Sequence, residues 1–354
     1  MMKNKRFLCM LLAVMMLLGV LSGCGSTGGS TADTASDAEE ETAVAASGEE
    51  DGNEVVDIDD LEEGPEIDLG DLLDEGVPLA AEPVLMNSLT PKASGTQTKK
   101  NSSAVIDYSN TKDGYVMASW TEGGTPKLKV LVKGPSGTSY QYNLRTDGQY
   151  ETFPLSDGNG NYTVGVYKND SGTKYSTVVS VSLTVTLTDE FAPFVRSNQY
   201  VNYSDGSRTV AKAAELCAGA TKNLDKVSKV YTFVVNNTTY DKAKAQTVQS
   251  GYLPNVDDTL TTGKGICFDY AALMAAMLRS QGVPVKLIVG YTGSAYHAWL
   301  KVWSETQGWI EGKIYFDGKQ WKLMDPTFAS SGKQSDSIMQ YIGNGDNYQA
   351  KYQY

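Results

Sequence analysis

The sequence predicts two folded parts in series, an all-β domain followed by an α+β domain. Three observations lead there. Residues 102–187 alternate polar with β-branched and aromatic side chains, broken by turn clusters. Apolar residues then recur at helical spacing from about residue 208, and from residue 285 the pattern returns to alternation. The charge is segregated along the chain: residues 1–24 hold three basic residues and no acid, and residues 25–91 hold 20 acidic residues and no basic one. That leaves a net charge of +5 on residues 92–354, although the whole chain carries −12. The acidity therefore belongs to a tail, and +5 on the rest is too mild to imply nucleic-acid binding. At 354 residues there is room for two domains plus tails.

Residues 1–23 have a basic start, a 15-residue apolar run over 7–21 and small residues after it. The run is shorter than the roughly 20 residues a membrane-spanning helix needs, so it reads as a signal peptide. Leu21-Ser-Gly-Cys24 resembles the lipobox of bacterial lipoproteins, in which the cysteine sulfur carries a diacylglycerol. The resemblance implies a protein lipid-anchored through Cys24 on the extracellular face of the bacterial cell membrane. Residues 24–101 are rich in Ser, Thr, Ala, Gly, Asp and Glu and poor in aromatics, and are expected to be a disordered acidic tether.

Seven strands are predicted in the next stretch, over 104–108, 115–120, 127–132, 139–143, 150–154, 162–167 and 175–187. Thr111-Lys-Asp-Gly114, Gly134-Pro-Ser-Gly137, Asp157-Gly-Asn-Gly160 and Asn169-Asp-Ser-Gly172 separate them as turns. Seven short strands without a helical segment suggest an immunoglobulin-like β-sandwich over 102–187. Its tyrosines could form a ligand surface; spacer and core is the simpler reading. A polar and aromatic link with Pro193 follows.

Ala211, Ala214, Leu216 and Cys217, then Val227, Val230, Phe233 and Val234, mark two helices, and Cys217 on the first stripe reads as a small buried core residue. Residues 242–263 read as a long polar connection, of the kind that often faces substrate. A third helix is predicted over 267–280, stopped by Gly282 and Pro284. Strands are predicted over 285–291, 297–303, 308–310, 314–316 and 321–324, with a hairpin at Asp317-Gly318. The Tyr-rich remainder after Phe328 is expected to close the domain.

Three separated residues in this part suit one chemistry. Cys267 opens the third helix, and a helix N-terminus lowers a thiol's pKa, as does a neighbouring imidazolium. His297, the chain's one histidine, is the one imidazole available for acid–base work near neutral pH. Asp325 on a later strand could hold its tautomer. Gly263 and Gly265 would let the backbone bend before Cys267 so that its N–H could point at a developing oxyanion.

The local sequences carry a family resemblance. Gly265-Ile-Cys267-Phe-Asp-Tyr-Ala-Ala-Leu, Gly282-Val-Pro-Val-Lys with Gly290-Tyr, His297-Ala-Trp and Asp325-Pro-Thr, with Tyr240-Asp241 upstream, resemble the bacterial transglutaminase-like superfamily over roughly 205–330. The resemblance implies a papain-like core over 188–354 that uses a Cys267–His297–Asp325 triad and a thioester intermediate. Glutamine carboxamides or peptide bonds of proteins at the cell surface are the implied substrates, with cross-linking, deamidation or proteolysis as outcomes. Animal transglutaminases supply an oxyanion donor from a tryptophan upstream of the cysteine, but this chain has no Trp between Trp120 and Trp299; Tyr240 is the candidate in its place. No cofactor or metal is implied: the chain has one histidine, and no EF-hand-like loop accompanies the domain. The rival reading is a non-catalytic surface lipoprotein that binds peptide or cell wall with the same fold.

Overall fold

In the computed structural model, residues 89–293, 295–310, 327 and 348–354 are described, and all of them belong to one unit of the chain, Ala43–Tyr354. Cys24, Asp325 and the strands predicted over 314–316 and 321–324 lie outside the described residues, as do the signal peptide and most of the expected tether.

The first part consists of two four-stranded antiparallel sheets. One is built from β1 (Thr98–Lys100), β2 (Ala104–Asp107), β3 (Tyr115–Trp120) and β6 (Glu151–Pro154), in the order β1-β2-β3-β6. The other holds β4 (Leu128–Lys133), β5 (Ser139–Asn143), β7 (Gly160–Ser171) and β8 (Lys174–Val185), in the order β5-β4-β7-β8. The alternation read from the sequence shows why: in β4, Leu128, Val130 and Val132 are buried while the residues between them are not. Ile106, Val116 and Phe153 from one sheet join Val130, Tyr142 and Val164 from the other in a single apolar core.

One expectation needs correcting here. Residues 89–101 were assigned to the tether, yet β1 pairs with β2, the Gly95 N–H donates to Asp107 Oδ2 at 2.6 Å, and Leu89 bridges to Arg196. Three residues and a few side-chain bonds make too short a run to show as periodicity. The polar and aromatic link after residue 187 packs against the first part: Ser197, Asn198, Gln199, Val201 and Tyr203 are buried, and Gln199 Nε2 donates to the Asn143 carbonyl and to Glu151.

The second part begins with α1 (Arg208–Cys217) and α2 (Asn223–Asn237). After β9 (Thr239–Tyr240) the residues expected to be an irregular connection form α3 (Lys242–Thr247) and α4 (Val256–Thr262). Each has a signal that a longer-period reading passes over. Asp241 accepts from the Lys244 N–H at the start of α3, Asn255 accepts from the Asp258 N–H at the start of α4, and Gly263 ends α4 at φ 60°. Then come β10 (Lys264–Gly265), paired in parallel with β9, and α5 (Cys267–Ser280). An antiparallel sheet follows, of β11 (Val285–Thr292), β12 (Ala295–Ser304), β13 (Gly308–Ile310) and β14 (Tyr348–Gln353), ordered β13-β12-β11-β14.

Helix α5 is the axis of this part. Every residue from Asp269 to Ser280 is buried, because α1, α2 and α4 pack on one side and β11 with β12 on the other. Ala271, Ala272, Ala275 and Ala276 let these neighbours approach closely. The two parts of the chain share one continuous core. At their junction, Tyr140 and Tyr142 of β5 meet Tyr354 at ring separations of 5.7 Å, and Tyr200 lies 4.6 Å from Tyr354 and 5.4 Å from Phe268. The tyrosines of β5 are therefore core rather than ligand surface.

Candidate functional site

Cys267 is the first residue of α5 and its thiol is free and half-buried. At that position its backbone N–H has no acceptor inside the helix. The bend before it uses the two glycines differently. Gly263 supplies the left-handed turn, whereas Gly265 is a close-approach residue: a Cβ there would stand 2.5 Å from Asp269 Cβ.

Tyr240 is drawn to the same place by backbone pairing. Its register partner across β9–β10 is Gly265, and the Asp241 N–H donates to the Gly265 carbonyl at 2.9 Å. Its phenol is pushed up from the ordinary value, first by burial and then by the Cys267 thiol, Tyr270 and Asp269. A phenol so placed keeps its proton and can donate a hydrogen bond.

His297 lies on β12 opposite Gly290 of β11 and is buried. Its place along the layer follows from the turn at 281–284, which sends β11 back along α5. Val285 is at the C-terminal end of α5, where Arg279 bonds its carbonyl. From Val285 to Gly290 is about 17 Å of strand at ~3.4 Å per residue, and α5 itself is about 20 Å long at ~1.5 Å per residue. Cys267 and His297 therefore stand at the same end of the helix–sheet layer. Ala298, Leu300 and Val302 belong to the core that α5 shares, so strand alternation puts His297 on the other face of β12 with Trp299. Its ring is stacked on Trp299 at 6.2 Å and 18°, with Tyr348 of β14 at 6.4 Å. Gly290 has a steric reason beside it: a Cβ would lie 2.0 Å from the Gln349 carbonyl oxygen of β14. Of the Asp325-Pro-Thr motif, Thr327 is described and buried; Asp325, like Cys24, lies outside the described residues.

Sequence reasoning gave no role to Asp269. Its carboxylate is fully buried one turn into α5, where Oδ2 accepts from the Ile266 N–H at 2.8 Å and from Lys244 Nζ at 2.6 Å, and Oδ1 accepts from the Tyr252 hydroxyl at 2.5 Å. An acid three residues past the N-cap is the available signal, because that position reaches back to the cap's N–H. Lys244 and Tyr252 have no such local signal; α3 and the turn after it bring them. Cys217 sits on α1 as expected, its thiol pushed up by burial, with Lys226 and Lys229 acting the other way.

Residues 210–326 match the family described as the transglutaminase-like superfamily. The second part of the chain is transglutaminase-like. A protein-glutamine gamma-glutamyltransferase of Pseudomonas aeruginosa is 28% identical over 106 residues, covering 26% of this chain and 14% of that protein. The uncharacterized protein YebA of Bacillus subtilis is 26% identical over 176 residues, covering 43% of this chain and 22% of YebA. The chain thus spans less than a quarter of the length of either relative. Among solved structures, a candidate cysteine protease from Cytophaga hutchinsonii is 15% identical with a TM-score of 0.35, over 73% of this chain and 82% of that one. The transglutaminase-like domain mixes helices with an antiparallel sheet, and the family match ends at residue 326, immediately past Asp325.

Proposed function

We propose that the transglutaminase-like domain is a cysteine acyltransferase or peptidase acting on glutamine carboxamides or peptide bonds of proteins. The observation that carries the reading is the placement of Cys267: a half-buried thiol on the first residue of a helix that is buried from Asp269 to Ser280, with the Tyr240 phenol beside it. In the proposed reaction the Cys267 thiolate attacks the carbonyl carbon, forming a C–S bond as the carbonyl electron pair moves onto oxygen. That oxyanion is met by the Cys267 N–H and the Tyr240 hydroxyl. His297, oriented by Asp325 and carrying the proton taken from the thiol, gives that proton to the nitrogen as the C–N bond breaks. Ammonia or a peptide amine leaves and a thioester remains on Cys267. Transfer to an amine would cross-link proteins, and transfer to water would give deamidation or proteolysis. The chemistry needs no cofactor.

The deciding experiment is intact-mass trapping of the acyl-enzyme on the full chain, using a blocked glutaminyl peptide with and without a primary-amine probe. An adduct on Cys267 and amine-tagged glutamine mean transferase, and new peptide termini mean peptidase. Iodoacetamide at about pH 6–7 should label Cys267 far faster than Cys217, and faster than it labels a His297→Ala variant. No adduct together with slow, equal labelling of both thiols would reject the enzyme in favour of a peptide-binding surface protein.

The same reading places the domain outside the bacterial cell, lipid-anchored through Cys24 with the acidic segment as tether, and takes the two-sheet region as immunoglobulin-like. Labelled-palmitate incorporation that disappears in Cys24→Ala tests the anchor.

A further inference from the structure

We propose that Asp269, clamped by Lys244 and Tyr252, is a positioning residue that fixes the Cys267 backbone N–H for the oxyanion. The inference rests on the acyl-transfer reading above. It starts from the peptide plane between Ile266 and Cys267. The carbonyl of that plane is Ile266 O, which accepts from the Tyr270 N–H at 3.1 Å. On the other side of Ile266, its own N–H donates to Asp269 Oδ2 at 2.8 Å. Both hydrogen-bonding groups of Ile266 are thereby held, and its backbone sits extended at φ −92° and ψ 176°. With the carbonyl pointing into the helix, the N–H on the opposite edge of the same rigid plane points out of it. That N–H belongs to Cys267.

The carboxylate is itself immobilised. It has no solvent exposure, and besides Ile266 it receives Lys244 Nζ at 2.6 Å and the Tyr252 hydroxyl at 2.5 Å. Lys244 comes from α3, which directly follows Tyr240-Asp241, and its ammonium also lies over the Tyr252 ring at 4.4 Å. Gly265 presses against the same side chain, as its lack of a Cβ permits. One carboxylate therefore ties the segment from Tyr240 to Tyr252 to the backbone entering the nucleophile, and both oxyanion donors of the proposed mechanism hang from it.

The experiment compares two reactions of Cys267 in the full chain. Acetylation by p-nitrophenyl acetate, read as a p-nitrophenolate burst with an intact-mass adduct, develops an oxyanion. Alkylation by iodoacetamide displaces iodide at carbon and develops none. Asp269→Asn should slow acetylation by about 10²-fold, the scale of one oxyanion donor, while leaving alkylation within about threefold. Lys244→Met, which keeps the carboxylate, should show the same split at about tenfold and serves if the first variant does not fold. Equal acetylation in variant and wild type, or acetylation and alkylation falling by one common factor, overturns the positioning role. A wild-type chain that is alkylated and never acetylated overturns the acyl-transfer reading beneath it.

Discussion

The two ends of helix α5 each bury one charged side chain, and they hold it in opposite ways. At the C-terminal end the Arg279 guanidinium is 2% exposed and donates only to backbone carbonyls: Val285 twice, at 3.0 and 2.7 Å, Arg196 at 2.9 Å and Tyr354 at 2.6 Å. Those carbonyls come from β11, from the stretch between the two parts of the chain and from the end of β14. A cation at a helix C-terminus also opposes the helix dipole favourably. Burial pulls its pKa down to about 10, which still leaves it charged at neutral pH. At the N-terminal end Asp269 is held by one backbone N–H and two side chains, both from the single segment after Tyr240. One end is thus locked by the main chain of three elements. The other is clasped by side chains, and the thiol beside it stays half-exposed. The difference separates stability from chemistry along one 14-residue helix.

The largest test of that separation is Cys267→Ala. It should abolish acylation, a loss of at least about 10³-fold, while moving unfolding free energy by less than about 1 kcal/mol, since a half-buried thiol packs little surface. Residual acylation by mass spectrometry, or a large shift in urea midpoint, would break the contrast. Arg279→Met is the converse. It leaves buried carbonyls at the junction without donors and should cost about 3 kcal/mol or more of stability in urea unfolding. Alkylation of Cys267 in the folded fraction should stay at the wild-type rate; a slowed thiol would mean that the C-terminal end steers the chemistry after all.

Gly265→Ala sharpens the comparison at the reactive end. Its Cβ would crowd Asp269 Cβ at 2.5 Å, in a fully buried site with little room to give. Overpacking of this kind costs about 1–3 kcal/mol, and here it should come with slowed acetylation of Cys267. Its partner test is Gly282→Ala at φ 76°, where a left-handed backbone costs an alanine about 1–2 kcal/mol. That variant should lose stability and leave acetylation unchanged.

These contrasts were unevenly legible in the sequence. The limits of α5 could be read to the residue, because a glycine-broken run before Cys267 and Gly282 with Pro284 after Ser280 are local signals. Strands β2–β8 and β11–β13 are readable for the same reason, since turn clusters and period-2 alternation need no knowledge of partners, whereas β1, β9, β10 and β14 are defined by the strands they pair with. What escaped was set by tertiary contact. Residues 242–263 lack an apolar stripe, so α3 and α4 showed only in their caps, Asp241 and Asn255. Ala271, Met274, Ala275 and Leu278 recur at helical spacing and by themselves suggest one inward face, whereas α5 is covered all round from Asp269 to Ser280, since alanines and methionines pack on either side equally well. Asp269 can be quoted from the motif, but its role comes from Lys244 and Tyr252, 25 and 17 residues away, which close over it. Gly290 could be quoted from the motif, but its reason is a strand almost 60 residues later whose backbone would meet a Cβ. Cys267, Tyr240 and His297 were all named from sequence. Only the structure shows that β9–β10 pairing delivers Tyr240, and that His297 shares its face of β12 with Trp299.

The smallest effect concerns Tyr200, in the tyrosine cluster at the junction of the two parts. Its ring is tilted against Phe268, the neighbour of Cys267, and meets Tyr354, whose carbonyl Arg279 binds, edge-on. Burial raises its phenol well above the ordinary 10.0, with Tyr352 and Glu151 acting the same way and a hydrogen bond with Tyr354 opposing them. A phenol with a raised folded pKa contributes stability that is whole below the unfolded value of 10.0 and is lost as pH climbs from there toward the folded value. Between pH 9 and pH 11 the wild-type chain should therefore lose about 1.4 kcal/mol through this one group, since each pH unit above the unfolded pKa is worth about 1.36 kcal/mol. Tyr142 and Tyr354, raised by burial in the same cluster, add to the slope in the same direction. Tyr200→Phe cannot ionise, so its unfolding free energy should fall by about 1.4 kcal/mol less over that interval, even though losing the hydroxyl costs about 1 kcal/mol at pH 7. Parallel stability–pH curves for the two proteins would mean that the Tyr200 phenol reaches solvent in the folded chain and is not held in the buried junction.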